Sequence, residues 1–190
     1  GYGSYDFQSQ LAHVSHRFEN GVGIRASAEH KRTDGYRDNN NTSYDNGFIN
    51  LSYEGDGSWI FVEYQRTDEE LGLPGALTAI QLAVSRTQTV FPLDFNDSIS
   101  EVSRIGGSFS IIPNWEFATE FTYRKDDVKG ALTGLALTQD RRQKAFNPRI
   151  KGIVNIANRP LVVIAGSDIE KTDYILVSPF GAQIGDQNMV

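Results

Sequence analysis

The sequence predicts an all-β chain: an antiparallel meander forming an incomplete wall of a transmembrane β-barrel, with residues 1–190 as one unit. Three observations predict it. Several segments are longer than globular strands, they alternate apolar with polar residues, and the connections between them alternate short with long. Composition does not oppose this fold. At 39% hydrophobic and 22% charged the chain resembles a soluble domain, yet a barrel turns only alternate residues to lipid and keeps polar ones on its other face.

Composition also removes other classes. The longest apolar run, residues 161–166, is far short of the roughly 18 residues that a membrane-spanning helix needs. Cysteine is absent, which excludes disulfides and thiolate metal sites. A net charge of −6, with 18 basic residues scattered among 24 acidic ones, gives no basic stripe for phosphates, so no nucleic-acid partner is expected. The N-terminal residues GYGSYDFQ carry no basic segment followed by an apolar core. An exported chain starting here is expected to be mature or a fragment.

Strand character appears eight times in order: residues 5–18, 22–33, 46–54, 58–67, 99–112, 115–126, 144–155 and 160–172. Many approach the nine to eleven residues of a tilted membrane strand. The cleanest alternation starts at Trp115, where Trp115, Phe117, Thr119, Phe121 and Tyr123 share one face against Glu116, Ala118, Glu120, Thr122 and Arg124. Val22, Ile24, Ala26 and Ala28 oppose Gly23, Arg25, Ser27 and Glu29; Gly47, Ile49, Leu51 and Tyr53 oppose Phe48, Asn50 and Ser52. Ile24, Ala26, Ile49, Leu51, Ile60, Val62, Phe117 and Phe121 should therefore face lipid. Two segments depart from the pattern. Residues 5–18 change phase near Leu11 and Ala12, and 160–165 is apolar on both faces, which predicts a bulge or an adjoining structure there.

Short turns fall at Glu19-Asn20-Gly21, Gly55-Asp56-Gly57, Pro113-Asn114 and Ala157-Asn158-Arg159, all rich in residues that accept turn geometry. Longer connections are expected at 34–45, 68–98, 127–143 and after Thr172. That order matches short periplasmic turns and long extracellular loops. Trp59 and Trp115 both lie beside short turns, where an aromatic girdle would sit.

Catalytic and metal constellations are weak. His13 and His16, three apart on a strand, point to opposite faces and cannot share a metal without a bulge. Asp68, Glu69 and Glu70 are consecutive, whereas calcium loops space their ligands at alternate positions; Asp126 and Asp127 read the same way. No nucleophile elbow, HExxH or phosphate-loop pattern occurs. No enzyme activity, metal site or cofactor is expected.

The stretches GYGSYDFQSQLAHVSHRF and GVGIRASAEHKRTDGYRDN, followed by a Tyr-containing strand ending in DEELGLPGALT, resemble the start of the barrel in TonB-dependent transporters. Thr33 to Asn39 and Gly72 to Thr78 are the most specific elements, with Phe146 to Ile150 and Leu161 to Tyr174 fitting more loosely. The resemblance implies a 22-stranded barrel of the Gram-negative outer membrane, of which these eight strands are about the second to the ninth. It also implies a plug domain in the lumen, and uptake of a scarce small ligand (siderophore, cobalamin or similar) with energy from the TonB complex. The chain departs from that plan: no plug domain, no TonB-contacting segment and no aromatic terminal residue is recognised in it.

By analogy with the family, ligand would be met near the long-loop end. Glu29, Lys31, Glu63, Gln65, Glu120 and Arg124 are expected on the upper lumen wall, with Tyr36, Arg37 and Arg86 on loops. Of these, Tyr36, Arg37, Glu63, Gln65, Arg86 and Arg124 are the candidate ligand contacts. Arginine offers a bidentate fork and tyrosine an aromatic face with a hydroxyl, which suit metal chelates and small anions. Three classes stay open: this energised transporter, a complete eight-stranded barrel with a structural or adhesive role, and a soluble β-sandwich binding module. A closed small barrel would join its first strand to its last.

Overall fold

The computed structural model describes residues 1–189. Twelve strands, β1 (Tyr2–Gly3), β2 (Phe7–Arg17), β3 (Val22–Thr33), β4 (Thr42–Gly55), β5 (Ser58–Gly72), β6 (Phe95–Ile112), β7 (Trp115–Leu132), β8 (Leu135–Phe146), β9 (Arg149–Ile156), β10 (Arg159–Gly166), β11 (Ile169–Ser178) and β12 (Gly181–Met189), form one antiparallel sheet. One short helix, α1 (Ala79–Val84), lies between β5 and β6. Once β8 with β9 and β10 with β11 are each counted as one strand, neighbours in the sheet follow chain order, and β1 and β12 stand at opposite edges, unpaired with each other. The sheet is open, so the small closed barrel is set aside.

Register shows that two strand pairs are single strands with a kink. Phe146 pairs with Phe121 and Arg149 would fall on the same count, since Ala118 pairs with Arg149; β8 and β9 therefore run as one. Pro148 interrupts the ladder because it has no N–H to give: its carbonyl accepts the Ser167 N–H at 3.1 Å, and the reciprocal bond is missing. Asn147 N–H still reaches the Glu120 carbonyl at 2.9 Å. Opposite this kink, β10 and β11 continue each other in the same way. With these joined and the two-residue β1 set aside, nine long strands remain, and the ninth is β12.

Several boundaries differ from the sequence reading. The expected connection at 127–143 is the top of a hairpin: β7 runs on to Leu132, Thr133 and Gly134 turn the chain, and β8 returns from Leu135. Both turn residues have positive φ, 54° and 78°, the geometry of the tight turn that matches strand twist. Thr133 is a β-branched residue in that region, so composition hid the turn. The connection expected after Thr172 is likewise replaced by β11 reaching Ser178 and returning as β12. β4 begins earlier than residue 46, and β5 and β6 extend into the expected 68–98 loop, leaving residues 73–94. β2 keeps one register against β3 from Gln8 to Arg17, so no bulge answers its phase change; Leu11 simply sits on the polar face. The irregularity lies instead between Ser110 and Ile112 of β6, beside the Pro113-Asn114 turn. In β10, Val162 and Ile164 lie on the face opposite Leu161 and Val163, exposed and uncovered among the described residues.

The two faces of the sheet are unequal. Gly23, Asn50, Phe61, Gly106 and Asp126 are buried and all lie on one face. Among the described residues no layer packs on that face, so its side chains crowd because the sheet curves around them. The opposite, convex face is apolar in rows. Leu51, Val62, Ile105, Phe121, Phe146 and Ile169 are hydrogen-bond-register partners from β4 across to β11, yet each is 41–52% exposed. Two residues higher on each strand the row reads Tyr64, Ser103, Tyr123, Lys144, Lys171; two higher again it reads Arg66, Glu101, Lys125, Arg142, Asp173, Asp186. An apolar band thus ends at a line of charge on every strand from β5 to β12. Lys125 follows Trp115 by ten positions, about 34 Å along the strand, or about 26 Å in height at a tilt near 40°. That is the height of a barrel's lipid-facing band.

Ile24, Ala26, Ile49, Leu51, Ile60, Val62, Phe117 and Phe121 all take the convex face, none of them buried. Of the two tryptophans, only Trp115 does. Trp59 points to the concave face, where its ring stacks on Phe61 at 4.8 Å, so the pair does not form a single girdle. Proximity to a turn fixes height; parity along the strand fixes the face.

Candidate functional site

Alternation places Glu29, Lys31, Glu63, Gln65, Glu120 and Arg124 together on the concave face, as expected for a lumen wall. Most of their charges are matched locally, while Glu120 accepts from the Thr122 hydroxyl at 3.1 Å. Glu63 accepts from Arg104 at 2.9 Å and lies 3.4 Å from the Asn50 amide; Gln65 donates to Asn46 at 2.8 Å; Lys31 pairs with Glu29 at 2.6 Å. Arg124 donates through Nε to both oxygens of Asp126, at 2.9 and 3.0 Å, while Arg141 holds the same carboxylate at 2.7 Å. Asp126, buried between two guanidiniums, is a fixed part of the wall. Two guanidiniums on one carboxylate leave an excess of positive charge facing the concave side. Gln65 and Arg124 share a row two strands apart, about 10 Å. A cavity of about 710 Å³ on this wall includes Asn50, Phe61, Glu63 and Arg104.

Tyr36, Arg37 and Arg86 come together in a second, open depression of about 530 Å³, shared with Leu77, Leu82 and Ala83. Their roles there diverge. The Arg37 guanidinium donates to three backbone carbonyls, Gly75 at 2.6 Å, Gln88 at 2.9 Å and Pro74 at 3.2 Å; these bonds tie the 34–41 loop to the 73–94 loop. The Asp38 N–H reaches the Thr87 carbonyl at 2.7 Å, and the Asn39 amide bridges the carbonyls of Phe91 and Asp94 at 2.8 and 2.7 Å. Tyr36 meets Tyr5 edge to face at 5.7 Å. Arg86 makes no hydrogen bond or ion pair among the described residues. Tyr36 and Arg86 thus present an aromatic face and a cation, while Arg37 is spent on the loops.

Sequence reading missed Asp94. Its carboxylate, buried on the 73–94 loop, accepts the Gly134 N–H at 2.8 Å and also the Thr133 N–H, so it clasps the β7–β8 turn from another loop. A lone Asp in a long connection carries no signal of a partner 39 residues away. Arg104 and Arg141 were missed for the same reason: each acts through a neighbouring strand. Among the described residues no group of three or more His, Asp or Glu is placed to hold a metal.

No protein-family model matches the sequence, and no curated protein is significantly similar to it. Solved structures do match. The ferric citrate transporter FecA superposes with a TM-score of 0.80 at 19% identity, over 95% of this chain and 29% of that one. FpvA of P. aeruginosa, solved with bound pyoverdine–iron, gives 0.79 at 10% identity over 93% and 27%. BauA, the ferric preacinetobactin receptor of Acinetobacter baumannii, gives 0.76 at 14% over 98% and 32%.

The fold is that of the barrel wall in these outer-membrane structures. The chain spans less than a third of the length of each of these receptors, and its meander order and convex apolar band fit a section of such a wall.

Proposed function

We propose that this chain is part of the barrel of an outer-membrane receptor of a Gram-negative bacterium that takes up a scarce small ligand, driven by TonB through a plug domain in the lumen. The observation that carries the reading is the convex face: a complete apolar row from Leu51 to Ile169, uncovered, bounded above by a row charged on every strand from β5 to β12. A soluble β-sandwich would bury that row against a second sheet; among the described residues there is none. Open sheet edges in lipid leave backbone groups without partners, at several kcal/mol each on the order of a buried polar group. We therefore take the edges at β2 and β12 to be paired with further strands of the same barrel.

Ligand would enter over the loop depression, meeting Tyr36 and Arg86 first, and then pass along the wall by Glu63, Gln65 and Arg124. Arg37 contributes by holding the loops in place. The ligand class favoured by a free guanidinium, an aromatic ring and the surplus positive charge at Arg124 and Arg141 is an anionic metal chelate or small anionic cofactor. FecA, FpvA and BauA carry ferric chelates by their descriptions, which supports that class. The test is uptake of labelled ferric chelates by cells carrying the complete protein, with and without a working TonB complex. Accumulation that depends on both is expected; accumulation indifferent to TonB, or a protein recovered in the soluble fraction, would overturn the reading.

A further inference from the structure

The charge on the convex face is ordered as well as dense. Four ion pairs there join residues two apart on one strand: Arg66–Asp68 at 3.5 Å, Lys125–Asp127 at 2.5 Å, Arg142–Asp140 at 3.1 Å and Lys171–Asp173 at 3.5 Å. β5, β7 and β11 run upward from the apolar row and β8 runs downward. In all four pairs the base is nevertheless the partner nearer the apolar band, and the acid stands one step further out. Within a strand, reversing a pair would preserve its attraction; among the described residues only Arg66, which also holds Glu101 at 3.1 Å, and Lys171, which also reaches Asp186 at 3.7 Å, are tied further by neighbouring strands. A surface facing anions at the edge of the apolar band asks for this order.

Close above the apolar row, cations lie on β7, β8 and β11: Lys125, Arg142, Lys144 and Lys171. Lys144 and Lys171 are direct register partners in the row immediately above Phe146 and Ile169. Like charges directly opposite each other destabilise a sheet. Lys171 has Asp173 and, at 3.7 Å, Asp186 to answer it; Lys144 is exposed and has no ion-pair partner among the described residues. Arg142 and Lys125 are register partners in the next row up, and Tyr123 lies beside Lys144. An anion seated above the apolar row between Lys144 and Lys171 would relieve their repulsion, while acyl chains below it would cover Phe121, Phe146 and Ile169.

We propose that Lys144 and Lys171, backed by Arg142 and Lys125, bind the phosphate groups of an outer-leaflet glycolipid against the outside of the wall. The proposal rests on the outer-membrane reading. It assigns these residues to the membrane side, away from the ligand path.

The test uses the complete native protein in a zwitterionic detergent, titrated with bis-phosphorylated lipid A and with the same lipid after removal of its phosphates. The native protein should prefer the phosphorylated lipid by about tenfold, the scale of one or two charge-assisted contacts. Lys144→Gln with Lys171→Gln should abolish the preference, and Lys144→Arg with Lys171→Arg should keep it. Folding is checked by the gel shift of the unheated barrel; if the double glutamine variant does not fold, Lys144→Gln alone, which breaks no ion pair, carries the same comparison. Equal binding of both lipids by the native protein, or an undiminished preference in a folded glutamine variant, would overturn the proposal. Fractionation of cells tests the location separately. A protein found outside the outer membrane sinks the outer-membrane reading and this proposal with it, whereas loss of the lipid preference in a protein located there sinks the proposal alone.

Discussion

Asp94 shows how much one side chain can hold in place. Its carboxylate takes two backbone N–H groups from the Thr133-Gly134 turn, and its own carbonyl accepts from Leu73 at 3.0 Å and from the Asn39 amide. Removing the carboxylate leaves two N–H groups without their partner, at about 1–3 kcal/mol. Asp94→Ala is therefore expected to raise hydrogen exchange at Thr133 and Gly134 by one to two orders of magnitude in the intact protein, with little change at the lower end of β7. Unchanged protection at the turn would show that the clasp does nothing. Arg37 acts by the same logic on the other side of the loop cluster. With Arg37→Ala, the Gly75 and Gln88 carbonyls lose their donor, while that of Pro74 keeps the Val90 N–H, and the 73–94 loop should become sensitive to limited proteolysis while the strands stay resistant. Arg86→Ala should leave that cleavage pattern alone and weaken ligand binding instead, about tenfold if its guanidinium meets an anion.

At the scale of the element, the β7–β8 hairpin is the informative case. A two-residue turn with both φ values positive favours Asn-Gly, and here it is Thr-Gly. A non-glycine residue held in the left-handed region costs about 1–3 kcal/mol, offset here by Asp94. Thr133→Asn should relieve part of that strain and slow unfolding of the upper hairpin; Thr133→Val should speed it. Equal unfolding rates for all three chains would mean that the turn is not strained. The kink at Pro148 and Ser167 is a second case: the sequence predicts one strand over 144–155 and one over 160–172, and register does run unchanged through both, but the proline removes one ladder bond and divides each in two.

For the whole molecule, the apolar rows fix how the sheet meets its surroundings. Val62 lies in the row from Leu51 to Ile169, well inside the band. An arginine on the lipid face near the midplane costs about 2–4 kcal/mol. Val62→Arg should thus lower the amount of folded protein in the outer membrane severalfold, while Gln65→Arg, on the concave face three positions away, should be tolerated. If both substitutions behave alike, the convex face does not meet lipid.

The sequence by itself determined the class of fold, the order of the strands and the face of the cleanly alternating side chains, because a period of two is a local property of the chain. Phe117, Phe121, Ile49 and Val62 could be sent outward, and Glu63, Gln65 and Arg124 inward, without coordinates. Short turns built from Asn and Gly were equally legible. Three things needed the tertiary structure. The Thr133-Gly134 turn is held by a carboxylate 39 residues away, and no local pattern announces such a partner. Arg37 looked like a ligand contact because an arginine on a loop looks free, and only the approach of the 73–94 loop engages it. The charge rows on the convex face, from Arg66 to Asp186, exist only once six strands are laid side by side in register. Alternation along a strand is written in the chain; alignment across strands is decided by hydrogen bonding between segments far apart in it, and that is where the rows of the wall arise.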